Sequence, residues 1–202
     1  MNSLLKRCAA CFVLLLLAGC SSAPIVTREE IKERIDLSGH WNDYDSQLVS
    51  EEMVQDCLSS AWVDNFIMEE GRKPVVIVGD VINRSHEHIN AEVFLKFLER
   101  EVLNSGRVIF VAGAEEREQL RAEREDQRQG FTAVESMARF GRERGADFML
   151  IGSINSVKDE IKKKYVIFYQ TNLELVDLET NEKVWIGQQE IKKTVEKRGF
   201  SM

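Results

Sequence analysis

His86-Glu87-His88 is the constellation in this 202-residue chain whose residue types could hold a metal. On an extended segment, residues two apart face the same side. Both imidazoles could therefore turn toward zinc, which needs at least three protein ligands. His40 is the only other histidine, and no further ligand has an evident place. Neither a metal nor a cofactor is expected on that ligand count; the other reading is a polar loop entering a helix at Asn90. No nucleophile with a base and an orienting acid is visible, and Gly79 to Gly106 hold no G-x-G-x-x-G or Walker pattern. A non-enzymatic, binding role is expected. The candidate surface is Asn83-Arg84-Ser85-His86-Glu87-His88, polar throughout and directly behind an apolar run. Asn83, Arg84, His86 and Glu87 are its candidate partner-binding residues, Arg84 and Glu87 through charge-assisted contacts. The alternative is that Asn83 and Arg84 complete turn hydrogen bonds. Trp41 and Tyr44, in a polar segment, either anchor an interface or, for Trp41, fold back over the core.

Cys20 carries the other chemistry. Lys6 and Arg7 precede an apolar run of about eleven residues, Cys8 to Ala18, which is too short for the roughly twenty residues of a membrane span. A positive end, a brief apolar run and small residues at its close are the marks of a secretory signal. The close is Leu17-Ala18-Gly19-Cys20, which resembles the lipobox of bacterial lipoproteins. That resemblance implies that residues 1–19 are removed and that Cys20 is acylated. The Ser21 that follows implies delivery to the outer membrane, facing the periplasm. Attachment would then be by lipid alone, and several acyl chains suffice for a stable anchor.

About 180 residues remain after cleavage, enough for one domain. Loss of Lys6 and Arg7 takes the formal charge from −7 to −9, and an acidic domain is a poor match for nucleic acid. Cys8 and Cys11 leave with the signal, so Cys57, on an apolar helical face, is left alone and expected to be buried. Residues 20–40 read as a lipidated N-terminus and linker, with a possible helical turn at Thr27–Ile35. Extended, twenty residues span at most ~70 Å. Residues 41–202 read as the domain.

Within it, apolar spacing predicts a helix capped by Asp45 and running to Glu70, ended by Gly71. Pro74 to Gly79 is a buried-strand run. Asn90 can cap a helix with Val93, Phe94, Phe97, Leu98 and Val102 on one face, before a short strand at Val108 to Val111. Two such strands joined by a helix suggest a βαβ unit. Ala114 to Gln129 reads as a solvated helix, and Thr132-Ala133-Val134-Glu135 matches a capping box for a helix to Arg144. From Asp147 the period falls to about 2. Phe148 to Val157, Tyr165 to Leu178 and Lys183 to Val195 are expected as an antiparallel meander. The fold class is α/β: a mixed sheet of about five strands flanked by helices. The last strand would be an edge, protected from pairing by Lys192 and Lys193.

The segments "DLSGHWNDYDSQLVSEEM", "PVVIVGDVINRSHEHIN", "LNSGRVIFV" and "GRERGADFMLIGSINS" together resemble the LpoB family, lipoprotein activators of class A penicillin-binding proteins. The resemblance covers about Asp36 to the end. "GADFMLIGSI" is shared more loosely with CsgG-type secretion lipoproteins and domains related to the N-terminal domain of TolB. The resemblance implies a TolB N-terminal-like fold and a partner that is a bifunctional peptidoglycan synthase. It implies a role in regulating cell-wall synthesis, and so cell shape. The alternative it leaves is a CsgG-like envelope secretion or assembly lipoprotein. The family's long Pro-rich stretch between lipid and domain is represented here by Pro24 and little else.

Overall fold

A computed structural model describes residues 27, 28, 30, 34–139, 141–162 and 164–196. The chain divides into two compact units, Met1–Glu33 and Arg34–Met202. Of the first unit, only Thr27, Arg28 and Glu30 are described, and none is helical; nor are Arg34 and Ile35. The helical turn expected at Thr27–Ile35 is therefore not seen at those residues.

The second unit opens on an irregular strap, Arg34–Trp41, and a capped helix. The cap is Asn42, not Asp45: Asn42 Oδ1 accepts from the Asp45 N–H (3.0 Å), and Asp45 Oδ2 accepts from the Asn42 N–H (2.9 Å). This reciprocal box starts α1 (Asp43–Ser59), which buries Val49, Met53, Val54, Cys57 and Leu58. The single helix expected through Glu70 is broken at Ser60, whose backbone is extended. The Trp62 indole N–H turns back to the Cys57 carbonyl (2.7 Å), which also takes the Ser60 N–H at 3.3 Å, so this acceptor is satisfied across the break. A second helix, α2 (Ala61–Glu70), then buries Trp62 and Val63 and stops at Gly71.

Strand β1 (Val75–Arg84) runs five residues beyond the expected Gly79. Its register shifts between Val78 and Val81, and this irregularity lets pairing resume as Val81↔Gly152 through Arg84↔Asn155. Asn83 and Arg84 are therefore the end of a strand, not loop residues. Helix α3 (Ala91–Asn104) is capped by Asn90 as expected, and buries Phe94, Leu98 and Val102; Val93, placed by spacing on that face, is exposed. It returns the chain to β2 (Ile109–Phe110), parallel to β1, completing the βαβ unit.

Helix α4 (Ala114–Gln127) buries none of its residues. The helix expected over Thr132–Arg144 is not seen among the described residues of that range, which have a 3-10 turn, Val134–Ser136, without a side-chain cap. Thr132, Val134 and Ser136 are weaker helix formers than the Ala, Glu, Arg and Gln of α4. Phe131 and Val134 are both exposed, so no packing offsets that weakness.

The meander is as expected: β3 (Phe148–Ile161), β4 (Lys164–Asp177) and β5 (Lys183–Glu196) are antiparallel, and the sheet order is β2-β1-β3-β4-β5. Residues of even number in β3 and odd number in β4 and β5 point to the helix side, where Leu150, Ile154, Ile167, Tyr169, Leu173, Leu175 and Trp185 form the core with α1 and α3. Gly152 holds a place where β3 and β4 lie close: a Cβ there would run into the Asn172 backbone and Leu173. Cys57 is buried, as its helical face implied. No described helix is long and apolar enough to cross a membrane.

Candidate functional site

The polar segment behind β1 and the strap ahead of α1 meet at one residue, Glu87. Its Oε1 lies 2.7 Å from the Tyr169 hydroxyl and 2.7 Å from His40 Nδ1. Its Oε2 accepts from the Trp41 backbone N–H at 3.2 Å. Burial pushes the Glu87 carboxyl up, but the bonds from Tyr169, His40 and Trp41 outweigh it and leave the group below the usual carboxylate value. The same burial, reinforced by Glu87, raises the Tyr169 hydroxyl, which stays protonated as a donor.

The loop that presents Glu87 is built by its neighbours. Asn83 Nδ2 donates to the carbonyls of Glu87 (2.8 Å) and Ile89 (3.3 Å), and its Oδ1 accepts from the Ser85 N–H (2.9 Å). His86 is docked on β3: its N–H donates to Ser156 Oγ (3.1 Å), and its Nδ1 lies 2.5 Å from the same oxygen. Its Nε2 faces Glu87 Oε1 at 3.4 Å. Arg84 stands apart. Its register opposite Asn155 puts it on the other face of the sheet from Asn83, beside Asp80, Ser153, Asn172 and Glu174. The structure thus joins Asn83, His86 and Glu87 into one network and leaves Arg84 exposed on a different surface.

The strap has a second fastening that the sequence reading missed. Lys193 is 5% exposed, and its ammonium sits 2.6 Å from both Asp36 Oδ1 and Asp45 Oδ2 and 3.1 Å from the His40 carbonyl. The expected role of Lys193 as an exposed guard of the sheet edge is therefore corrected; only Lys192 of the pair is exposed. Its odd position in β5, in step with Trp185 and Val195, was the available signal that it points inward. Lys193 first, and then Arg34, hold the Asp36 carboxyl below its usual value by hydrogen bonding. Tyr165 donates to the Ser38 carbonyl at 2.6 Å. Gly39 has φ +77 and lies so close to Val195 that a side chain there would meet it. Trp41 folds back, edge-on to Tyr169 (5.5 Å) and Phe94 (6.4 Å), with its indole N–H on Ser46 Oγ (2.7 Å). Tyr44 is half-buried below the Arg34 guanidinium. Cys20 lies outside the described residues. No group of three metal-ligating side chains occurs among the described residues.

This is a mixed-sheet α/β domain whose N-terminal strap and β1–α3 loop are locked together by charge-assisted hydrogen bonds. The sequence profile described as "Peptidoglycan-synthase activator LpoB" matches residues 45–191, and the chain belongs to that family. Among solved structures it is similar to the LpoB C-terminal domain from Escherichia coli (20% identity, 73% of this chain and 98% of that chain, TM-score 0.44). It is similar likewise to that from Salmonella enterica (17%, 73% and 98%, 0.42) and to the NMR structure of E. coli LpoB (18%, 90% and 85%, 0.42). No curated protein matches the chain significantly.

Proposed function

We propose that this protein is a non-enzymatic lipoprotein of the outer membrane that binds a class A penicillin-binding protein and activates it. The observation that carries the reading is the family match, which runs from the first turn of α1 into β5. In this reading residues 1–19 are the signal, Cys20 bears the lipid, and the chain faces the periplasm. The free linker is then shorter than 20–40, because Asp36 to His40 lie fastened on the domain. No observation favours the CsgG-like alternative.

Arg84, exposed at the end of β1, is the candidate for direct contact with the synthase. Asn83, His86 and Glu87 hold the adjoining loop in shape. The test is capture of the mature chain by class A synthases of the source cell, followed by glycan polymerisation and cross-linking assays. Binding with a raised rate is expected. Absence of both with every such synthase removes the reading.

A further inference from the structure

The end of the sheet at which the chain enters the domain is built unlike the rest of the surface. Strands β3, β4 and β5 all run past the last β1 pair, Arg84↔Asn155, and finish at Ile161↔Lys164 and Lys164↔Glu196. The strap lies against this same end: Tyr165 holds Ser38, and Arg34, Leu37 and Gly39 line one depression with Lys192, Val195 and Glu196. Four apolar side chains are exposed here. Val157 (66%) and Ile161 (71%) stand on the open face of the hairpin, and Leu37 (93%) and Ile35 (38%) on the strap at the helix side.

The charge is also distinctive. Ile161-Lys162-Lys163-Lys164 holds three consecutive lysines and no acid, in a chain of net charge −7. Lys158 and Lys164 also lie at this end, paired with Glu160 (2.6 Å) and Glu196 (2.6 Å), and Arg34 is paired with Asp36 (2.7 Å). Asp159 is a further acid of the hairpin, and Lys162, exposed at the turn with φ 49, caps the tip. Exposed apolar residues ringed by lysine are the chemistry that enters the headgroup layer of an anionic bilayer.

We propose that this hairpin tip and the strap root form a second membrane contact, for anionic phospholipid headgroups, that lays the domain on the leaflet holding its lipid. The choice of occupant follows from where the chain outside the domain begins. Thirteen residues separate Cys20 from Arg34, at most ~50 Å when extended, and they join the domain beside the tip. The orientation rests on the lipid-anchored reading of Cys20; the headgroup contact itself does not.

The experiment uses the mature chain carrying Cys20→Ser, so that no acyl chain contributes. It is co-sedimented with vesicles of phosphatidylethanolamine and phosphatidylglycerol, and with vesicles of phosphatidylcholine alone. Binding to the first, weakened by salt, and little to the second are expected. Lys162→Asp combined with Ile161→Ser should weaken binding by about tenfold or more. Aspartate tolerates the left-handed turn position, and circular dichroism checks folding. Equal sedimentation with both vesicles, or an unchanged double variant, overturns the proposal. So does a variant that keeps vesicle binding and loses synthase stimulation, because the tip would then serve a protein partner. Mass spectrometry of the wild-type chain from membranes reads acylation at Cys20 separately, so a failed anchor and a failed tip are distinguishable.

Discussion

Removing the Lys193 ammonium would leave Asp36 and Asp45 with no buried cation between them. A broken buried ion pair destabilises far more than an exposed one, because the stranded charge has lost its water as well as its partner. Lys193→Ala is expected to lower stability by about 3–5 kcal/mol in urea denaturation. Lys192→Ala, one residue away and exposed, should stay within about 0.5 kcal/mol. Thr171 offers the opposite case. Its hydroxyl is buried in the core without a partner, so Thr171→Val, which replaces the hydroxyl by a methyl, should raise stability by about 1 kcal/mol.

Glu87 and Asp36 give the fold an acid limit. Both are held below their ordinary values of 4.5 and 3.8. A depressed folded-state pKa stabilises fully above the unfolded value and is lost as pH falls through the folded one. Stability should therefore be level down to about pH 5 and decline below it. Glu87→Gln should lose stability at pH 7 yet show a shallower decline between pH 5 and pH 3. An equal slope in both proteins would mean that Glu87 is not part of the acid response. None of these roles could be read from neighbours in sequence: Lys193 meets Asp45 across 148 positions, and Tyr169 meets Glu87 across 82.

Among the elements, those with one clear period were legible and those whose period is interrupted were not. Helix α3 and the three meander strands keep a spacing of 3.6 or 2 over most of their length, and the structure has them within a few residues of their expected bounds. The register shift at Val78/Val81 interrupts the alternation of β1, which hid its last five residues and put Asn83 and Arg84 in a loop. The apolar spacing of α1 runs on into Trp62, and the Ser60 break is visible only once the indole is seen to turn back on Cys57. The Thr132 capping pattern was a local signal with no buried face to support it. Helix α4 has none either, and Glu143, held down to about 2 by Arg121 and then Arg124, ties it to the following segment through exposed groups alone. Amide exchange should therefore be fast across 114–139 and slow in β4. Leu120→Ala should change stability by less than about 0.5 kcal/mol. Gly152→Ala, by contrast, is expected to destabilise by about 1–3 kcal/mol, because the added Cβ forces β3 and β4 apart. That close approach gives a physical reason for the second glycine, Gly152, in "GADFMLIGSI".

The described domain is held by its core, and no disulfide occurs among the described residues. Cys57 is the free, buried thiol of the described residues, and burial raises its pKa to about 12, which keeps it from the reactive thiolate form. The unlipidated mature chain should melt at the same temperature with and without reductant, and Cys57 should alkylate only as fast as the fold opens. A shift in the melt on reduction would mean that a disulfide forms between chains.

The strap bears on how far the domain can stand from its tether. Its fastenings lie in series along the chain: Asp36 on Lys193, Ser38 on Tyr165, His40 and Trp41 on Glu87. A pull applied ahead of Arg34 loads them one at a time, as a peeled strip is loaded, instead of sharing the force among all of them. Each release hands its residues to the tether while the Asn42 box, next in line, still closes the helix. Arg34 to Trp41 are eight residues, so their full release adds less than their extended length of about 27 Å to the tether, and does so before the core itself feels the load.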